Sequence, residues 1–408
     1  MTKQRALLIG WRLEAVTALR RLGADVSCVL TPGDDERRAG ILDDGHTFPV
    51  PDATNTEWTL AALKRRDVSA ADFDVVCAHS EDPLVNAAVV GGARSRMTVD
   101  GALVLRDKDL QKSLVRAAGV PVADSRVIVH AAELADFPYA RGVLKPLDGS
   151  GTVGVRDWHD DRERARVVAE LEAEPAGGPW LAEEWVDGCE LHLDGVVRGG
   201  EVRFLSVGRY LQNVLGIRGG GLVASVIVRA DRHPDLFDRA RELTAHALKA
   251  LEHHDGVFHL EAFDQGDRLV FGECAGRIGG SVVDRTVEHQ YGVDLHDEWA
   301  RTVLGLESAL TPSTARDTFG MLSLYTPAGR LRSCPTESEV AAKEGVRHVS
   351  LRARPGDLRP EPGAASNRPA ALVVVAGEDE RQTTDRMHTL ARWFSAAAVL
   401  SRTDGGDA

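Results

Sequence analysis

The residues best placed to do chemistry lie in one stretch of the chain. Gly256-Val-Phe-His-Leu-Glu-Ala-Phe263 and Leu269-Val-Phe-Gly-Glu273 are alternating runs joined by the polar connection Asp264 to Arg268, the pattern of a β-hairpin. Pairing Phe263 with Phe271 sets Glu261 opposite Glu273, and alternation turns both carboxylates and His259 to one face. Directly opposed Cβ atoms sit about 5 Å apart. Two like charges at that distance repel unless a cation lies between them, and oxygen donors of this kind suit Mg²⁺, with Mn²⁺ as a substitute. Arg277, on the exit loop Cys274 to Gly280, adds a fixed positive charge. His259 is a candidate base or substrate contact. The competing account is a solvated hairpin whose acids coincide without function.

Two other stretches suit a nucleotide. Leu144-Lys145-Pro146 leads into Asp148-Gly149-Ser150-Gly151-Thr152-Val153-Gly154. Glycines let backbone N–H groups approach phosphate oxygens, and a lysine at the end of the preceding strand supplies a point charge. No Gly-Lys-Ser/Thr follows, so this is not a P-loop. The run Leu181-Ala-Glu183-Glu184-Trp185-Val186-Asp187-Gly188-Cys189-Glu190 offers backbone groups and a carboxylate to an adenine and a second carboxylate, Glu190, to ribose hydroxyls. Taken singly, a turn and an acidic edge strand explain these two stretches equally well. Candidates for substrate contact are Arg209 and Arg218, in a long loop with the three successive glycines Gly219 to Gly221, then Glu81 after an apolar strand, and Gly279 on the exit loop. Arginine forks suit a carboxylate, and an open α/β sheet binds ligands where Glu81 lies.

The elements that must position these residues are legible as patterns. Ala6 to Ile9, the amphipathic stretch Leu13 to Leu22 and Val26 to Leu30 follow a β-α-β rhythm, repeated by Val75 to Ala78 and Leu84 to Val90, which predicts a small doubly wound sheet. Asp107 can cap a helix whose apolar positions Leu110, Leu114 and Ala118 repeat at helical spacing, with Gly119 as its stop. Strands are predicted at Ser125 to Val129, Gly142 to Lys145 and Trp180 to Val186, and an antiparallel sheet from Glu190 to Val228. Helices follow at Pro234 to Leu251 and Leu295 to Leu304. The segments around Gly320 to Tyr325, His348 to Ala353 and Ala370 to Ala376, with a helix from Glu380 to Ser395, predict a last α+β unit.

Composition bounds the class. The 408 residues imply two to four structural units. With 62 acidic and 49 basic residues the formal charge is -13, and no basic stripe appears, which argues against nucleic acid or an anionic membrane surface as a partner. No window approaches ~18 consecutive apolar residues and Met1 to Gly10 has no signal-peptide pattern, so a soluble cytoplasmic protein is expected. The five cysteines are scattered, against a disulfide framework or zinc site. Only seven of the 49 basic residues are lysine, which gives Lys108 and Lys145 added weight.

In chain order, Asp107-Lys108, Lys145 with its glycine loop, Glu183 to Glu190, and Glu261, Glu273 and Arg277 resemble the ATP-grasp superfamily over residues 1 to 310. The resemblance implies an α/β and α+β multidomain fold: a doubly wound pre-ATP-grasp domain (1–105), a lid subdomain (106–188), a central subdomain with the metal site (189–311) and a small C-terminal α+β unit (316–400). It implies that Lys108 and Lys145 hold ATP phosphates under the loop Gly149, Ser150, Gly151 and Thr152. Glu183 and the backbone of Glu184, Trp185 and Val186 would hold adenine, Glu190 ribose, and Glu261 and Glu273 Mg²⁺. Glu-x-Ala-x-Arg at Glu273 to Arg277 and Gly-x-x-His-x-Glu at Gly256 to Glu261 are similar to the L-amino-acid ligase group. Many superfamily members carry an asparagine ligand where this chain has Ala275. The expected reaction is ATP-dependent joining of a carboxylate and an amine, as small molecules of the amino-acid type, with Arg277 and His259 as catalytic residues. A carboxylase that activates bicarbonate and a non-catalytic ATP-binding module are the alternatives. Similar ligases are commonly homodimers, and neither nucleic acid nor membrane is an expected partner.

Overall fold

In a computed structural model of the protein, the structure describes residues 3–38, 40–147, 149, 154–173, 178–219, 222–360 and 368–401, with the side chains of 35, 36 and 217–219 outside it. The candidates Ser150, Gly151 and Thr152 and the Arg218 side chain therefore lie outside the described residues. Among the described residues no helix is long and apolar enough to cross a membrane.

The first sheet is parallel, in the order Thr47–Pro49, Asp25–Leu30, Arg5–Ile9, Val75–Cys77. An unbroken apolar run such as Ala6 to Ile9 fits a strand covered on both faces. Leu7 and Ile9 enter one core while Ala6 and Leu8 enter another. The helix Leu13–Arg21 buries Ala15, Val16, Ala18 and Leu19, the spacing of a single helical face.

Residues 125–184 build a four-stranded antiparallel sheet, ordered Ser125–Ile128, Trp180–Glu184, Gly142–Pro146, Arg156–Trp158. The largest sheet has eight strands. Its order is Leu269–Ala275, Gly256–Asp264, Cys189–Arg198, Glu201–Tyr210, Ala224–Val228, Thr318–Leu324, Ala371–Gly377, Val346–Leu351, all antiparallel. The last three correct one expectation. The segment after residue 316 does not stand apart as a unit with its own main sheet, because Thr318–Leu324 pairs with Ala224–Val228 and carries the large sheet onward. A pairing across about ninety residues leaves no trace in local pattern.

On one face of the large sheet Leu191, Leu193, Val197, Phe258, Leu260 and Ala262 pack with Leu236, Phe237, Ala240 and Leu243 of the helix Pro234–Ala250. On the other face Val196 and Val257 pack with Val283 and Val287 of the helix Val283–Tyr291 and with Trp299 and Val303 of the helix Leu295–Leu304. At one end of this second face the apolar residues give way to Glu190, His192, Asp194, His259 and Glu261.

Candidate active site

The strand Gly256–Asp264 pairs with Leu269–Ala275 on one side and with Cys189–Arg198 on the other. Glu261 faces Glu273 across the first ladder and His192 across the second. The expected Phe263–Phe271 pair does not form. After Glu261 the register slips by one, so Ala262 meets Phe271 and Phe263 meets Val270. A bulge at Gly272 is the cause, and glycine is needed there: a Cβ would approach the Glu261 carbonyl oxygen to 2.9 Å. Phe271 thereby packs in the core with Phe258 and Leu260 while Glu273 still meets Glu261.

Behind Glu261 runs a buried polar chain that sequence reading missed apart from His259. His259 Nε2 lies 3.6 Å from Glu261 Oε1, and His259 Nδ1 donates to Asp194 Oδ1 at 2.8 Å. The other Asp194 oxygen accepts from His192 Nδ1 at 2.5 Å, and Ser225 Oγ lies 2.7 Å from His192 Nε2. Burial alone would push His259 down, but the adjoining Asp194 carboxylate reverses this and raises it to about 10. Burial would likewise raise Asp194, yet the two imidazoles hold it well below the usual carboxylate range. Gly279 sits against this pair, where a Cβ would come within 2.8 Å of both Asp194 Oδ1 and His259 Nδ1. The available signal was the alternation Glu190, His192, Asp194 along a valine- and leucine-rich strand.

The helix Lys108–Ala117 starts at Asp107, whose side chain accepts from the N–H groups of Asp109 (2.9 Å) and Leu110 (3.0 Å). Its buried side is not the one that carries the spaced apolar residues. Leu110 is 42% and Leu114 38% exposed and Ala118 is exposed too, whereas Lys108, Gln111, Lys112 and Val115 are buried. Hydrogen bonds make the polar face the better one to bury. Gln111 donates to the Cys274 carbonyl and accepts its N–H, both at 2.8 Å. Lys108 Nζ donates to the Gly149 carbonyl at 2.6 Å and lies 3.9 Å from Glu273. Lys112, absent from the sequence-based candidates, donates to the Gly272 carbonyl at 3.0 Å and lies 3.3 Å from Glu183 Oε2.

Lys145, at the end of the strand Gly142–Pro146, approaches that same Oε2 to 3.2 Å. Burial would raise Glu183, but the two ammonium groups hold it below its ordinary value. Its Oε1 is buried with no hydrogen-bond partner among the described residues. Glu184, Trp185 and Val186 line the same cleft. The N–H groups of Glu184 and Trp185 already donate to the carbonyls of Asp124 (2.9 Å) and Arg141 (3.1 Å). Glu190 Oε2 accepts from Val214 N–H at 2.6 Å, tying the loop after Tyr210 to the sheet. Burial and the charge of Glu261 push Glu190 up to about 8.

Arg277 lines the cleft and donates through Nε to Glu81 Oε2 at 3.0 Å. The other Glu81 oxygen accepts from Arg106 Nη1 at 3.2 Å, so this carboxylate is fully engaged in holding arginines. Arg209 does not line the cleft; it pairs with Glu380 at 3.1 Å.

The donor set suits a divalent cation. Burial raises Glu273, opposed by Lys108 and reinforced by the charge of Glu261. Glu261, which burial would also raise, is held down by His259. A doubly charged ion between the two would convert that repulsion into attraction. The cleft also suits ATP, since Glu183 Oε1, with no partner among the described residues, is an acceptor open to a donor and the lysines stand where anionic oxygens need charge.

The whole architecture superposes on known enzymes. A crystal structure of L-amino acid ligase from Bacillus licheniformis matches with a TM-score of 0.77 at 18% identity, covering 98% of this chain and 100% of that one. The fold is ATP-grasp. Carboxyaminoimidazole ribonucleotide synthase from Aspergillus clavatus, solved with ATP, shares this ATP-grasp architecture with a TM-score of 0.73 at 16% identity, covering 96% and 99% of the two chains. In sequence, the chain is 24% identical over 356 residues to an L-arginine-specific L-amino acid ligase from Bacillus subtilis, covering 83% of each. No protein-family model matches the chain.

Proposed function

We propose that this protein is an ATP-dependent carboxylate–amine ligase that joins amino acids or close relatives, releasing ADP and phosphate. The observation that carries the reading is the facing pair Glu261 and Glu273, in a cleft lined as well by Lys108, Lys145 and Arg277. Sequence similarity to an amino acid ligase over 83% of both chains supports the substrate class.

A carboxylate is a poor electrophile, so amide formation in water requires its activation. Transfer of the γ-phosphoryl of ATP to the carboxylate gives an acylphosphate, and attack by the amine expels phosphate. In such reactions catalysis is mostly positioning and charge stabilisation. Glu261 and Glu273 would hold a divalent ion, which would supply neutralisation of phosphate charge. Lys108 and Lys145 bind the phosphate chain. Arg277, kept in place by Glu81, binds the oxygens that gain charge on the activated carboxylate. His259, oriented by Asp194, contacts the substrate beside Glu261.

The test is a phosphate-release screen of amino-acid pairs, arginine included, with ATP and Mg²⁺, followed by mass spectrometry of the product. Release is expected only when both a carboxylate donor and an amine acceptor are present. A second reading, carboxylation through activated bicarbonate, draws on the match to the Aspergillus synthase. ADP release with bicarbonate in the absence of any amino acid would favour that reading over the ligase.

A further inference from the structure

Lys112 is 1% exposed and absent from the functional account so far. An ammonium group so deeply buried is expensive unless its charge is matched. Here the match is shared unequally. One oxygen, Glu183 Oε2, serves both Lys112 (3.3 Å) and Lys145 (3.2 Å), while Oε1 has no partner among the described residues. Two ammonium groups therefore converge on a single oxygen of Glu183.

The two lysines differ in freedom. The Lys145 side chain is 19% exposed, at the end of a strand that leads to the glycine loop; that of Lys112 is 2% exposed and also anchored on the Gly272 carbonyl. Lys145 is the one able to turn toward an incoming phosphate. When it does, Glu183 is left buried with Lys112 as its remaining cation. An ionised carboxylate accepts hydrogen bonds and donates none, whereas a protonated one also donates. An ionised Glu183 therefore favours a base that presents an amino group over one that presents a keto oxygen.

We infer that Lys112 is a positioning residue for base selection: it keeps Glu183 ionised and turned toward the nucleotide after Lys145 has passed to the phosphates. The inference rests on the reading of this cleft as an ATP site and assigns to this helix residue the choice between a 6-amino and a 6-keto purine. It also explains why the helix buries its polar side, since Lys112 links the nucleotide-facing sheet at Glu183 to the metal-bearing strand at Gly272.

The test compares affinities of the full chain for ATP and ITP, by calorimetric titration with Mg²⁺, in wild type, Lys112→Gln and Lys112→Arg. Wild type is expected to prefer ATP. Lys112→Gln, which retains a donor for the Gly272 carbonyl, should lose ATP affinity by roughly tenfold or more, the size of one charge-assisted hydrogen bond, with ITP affinity changed less than about threefold. Lys112→Arg, which keeps the cation, should preserve the preference even if the glutamine variant folds poorly. Equal losses for both nucleotides in Lys112→Gln, an unchanged ATP preference in that variant, or loss of the preference in a folded Lys112→Arg would each overturn the role given to Lys112. Wild type that binds neither nucleotide would overturn the nucleotide reading of the cleft, and Lys112's role with it, and is a separate outcome.

Discussion

Replacing Asp194 by Asn tests whether the buried chain behind Glu261 is held together by charge. Asp194 is fully buried and accepts from His259 Nδ1 at 2.8 Å and His192 Nδ1 at 2.5 Å. Asparagine keeps the shape but loses the charge, and its single carbonyl oxygen serves only one imidazole. Breaking a buried pair in this way costs about 3–5 kcal/mol, a fall in melting temperature on the order of 10 °C. The pH dependence separates this from a packing defect. His259 titrates near 10 in the folded protein against an ordinary value of 6.5, so its contribution is complete below about pH 6.5 and fades as pH rises toward 10. Glu190, raised to about 8, also costs stability as pH rises through that range, but it is present in both proteins and leaves the difference between them untouched. Thermal melts of wild type and Asp194→Asn in EDTA should therefore differ most at pH 6 and converge toward pH 10. A gap that is absent at pH 6, or that widens with pH, refutes the charge-based account.

Other outcomes follow from the same geometry. Gly279→Ala places a methyl group 2.8 Å from both Asp194 and His259 and should cost about 1–3 kcal/mol by overpacking, seen as a lower melting temperature together with reduced phosphate release. Leu110→Ala and Leu114→Ala, on the exposed side of their helix, should each change stability by about 0.5 kcal/mol or less; a loss of about 2–5 kcal/mol, typical of a core leucine, would contradict the orientation of that helix.

Much of the fold was legible because burial leaves marks in local sequence. Runs such as Ala6 to Ile9 and alternation such as Gly256 to Phe263 reported strands, and Asp107 reported a helix start. The facing of Glu261 and Glu273 was legible too, although the Phe263–Phe271 pairing expected beside it failed, because the bulge at Gly272 is set by close backbone approach rather than by side-chain pattern. The helix Lys108–Ala117 misled for a related reason. Apolar periodicity assumes that hydrophobic burial decides the inward face, whereas here hydrogen bonds from Lys108, Gln111 and Lys112 decide it. Contacts between distant segments were invisible: Arg209 with Glu380, Lys112 with Glu183, and the continuation of the large sheet through Thr318–Leu324 each join residues far apart in the chain. Asp194 belongs to an intermediate case, since its alternation with His192 and Glu190 was visible but its partner His259 lies on another strand.

The central claim is that two glutamates on neighbouring strands hold one divalent ion where the phosphates bind. The most direct measurement is Mn²⁺ binding in the presence of ADP, followed by loss of the free-ion paramagnetic resonance signal, in wild type, Glu261→Gln and Glu273→Gln. Wild type should bind the ion, and each variant should bind it at least about tenfold more weakly, the loss of one charged ligand being worth ~1.4 kcal/mol or more. Wild-type affinity retained in folded forms of both variants would contradict the account.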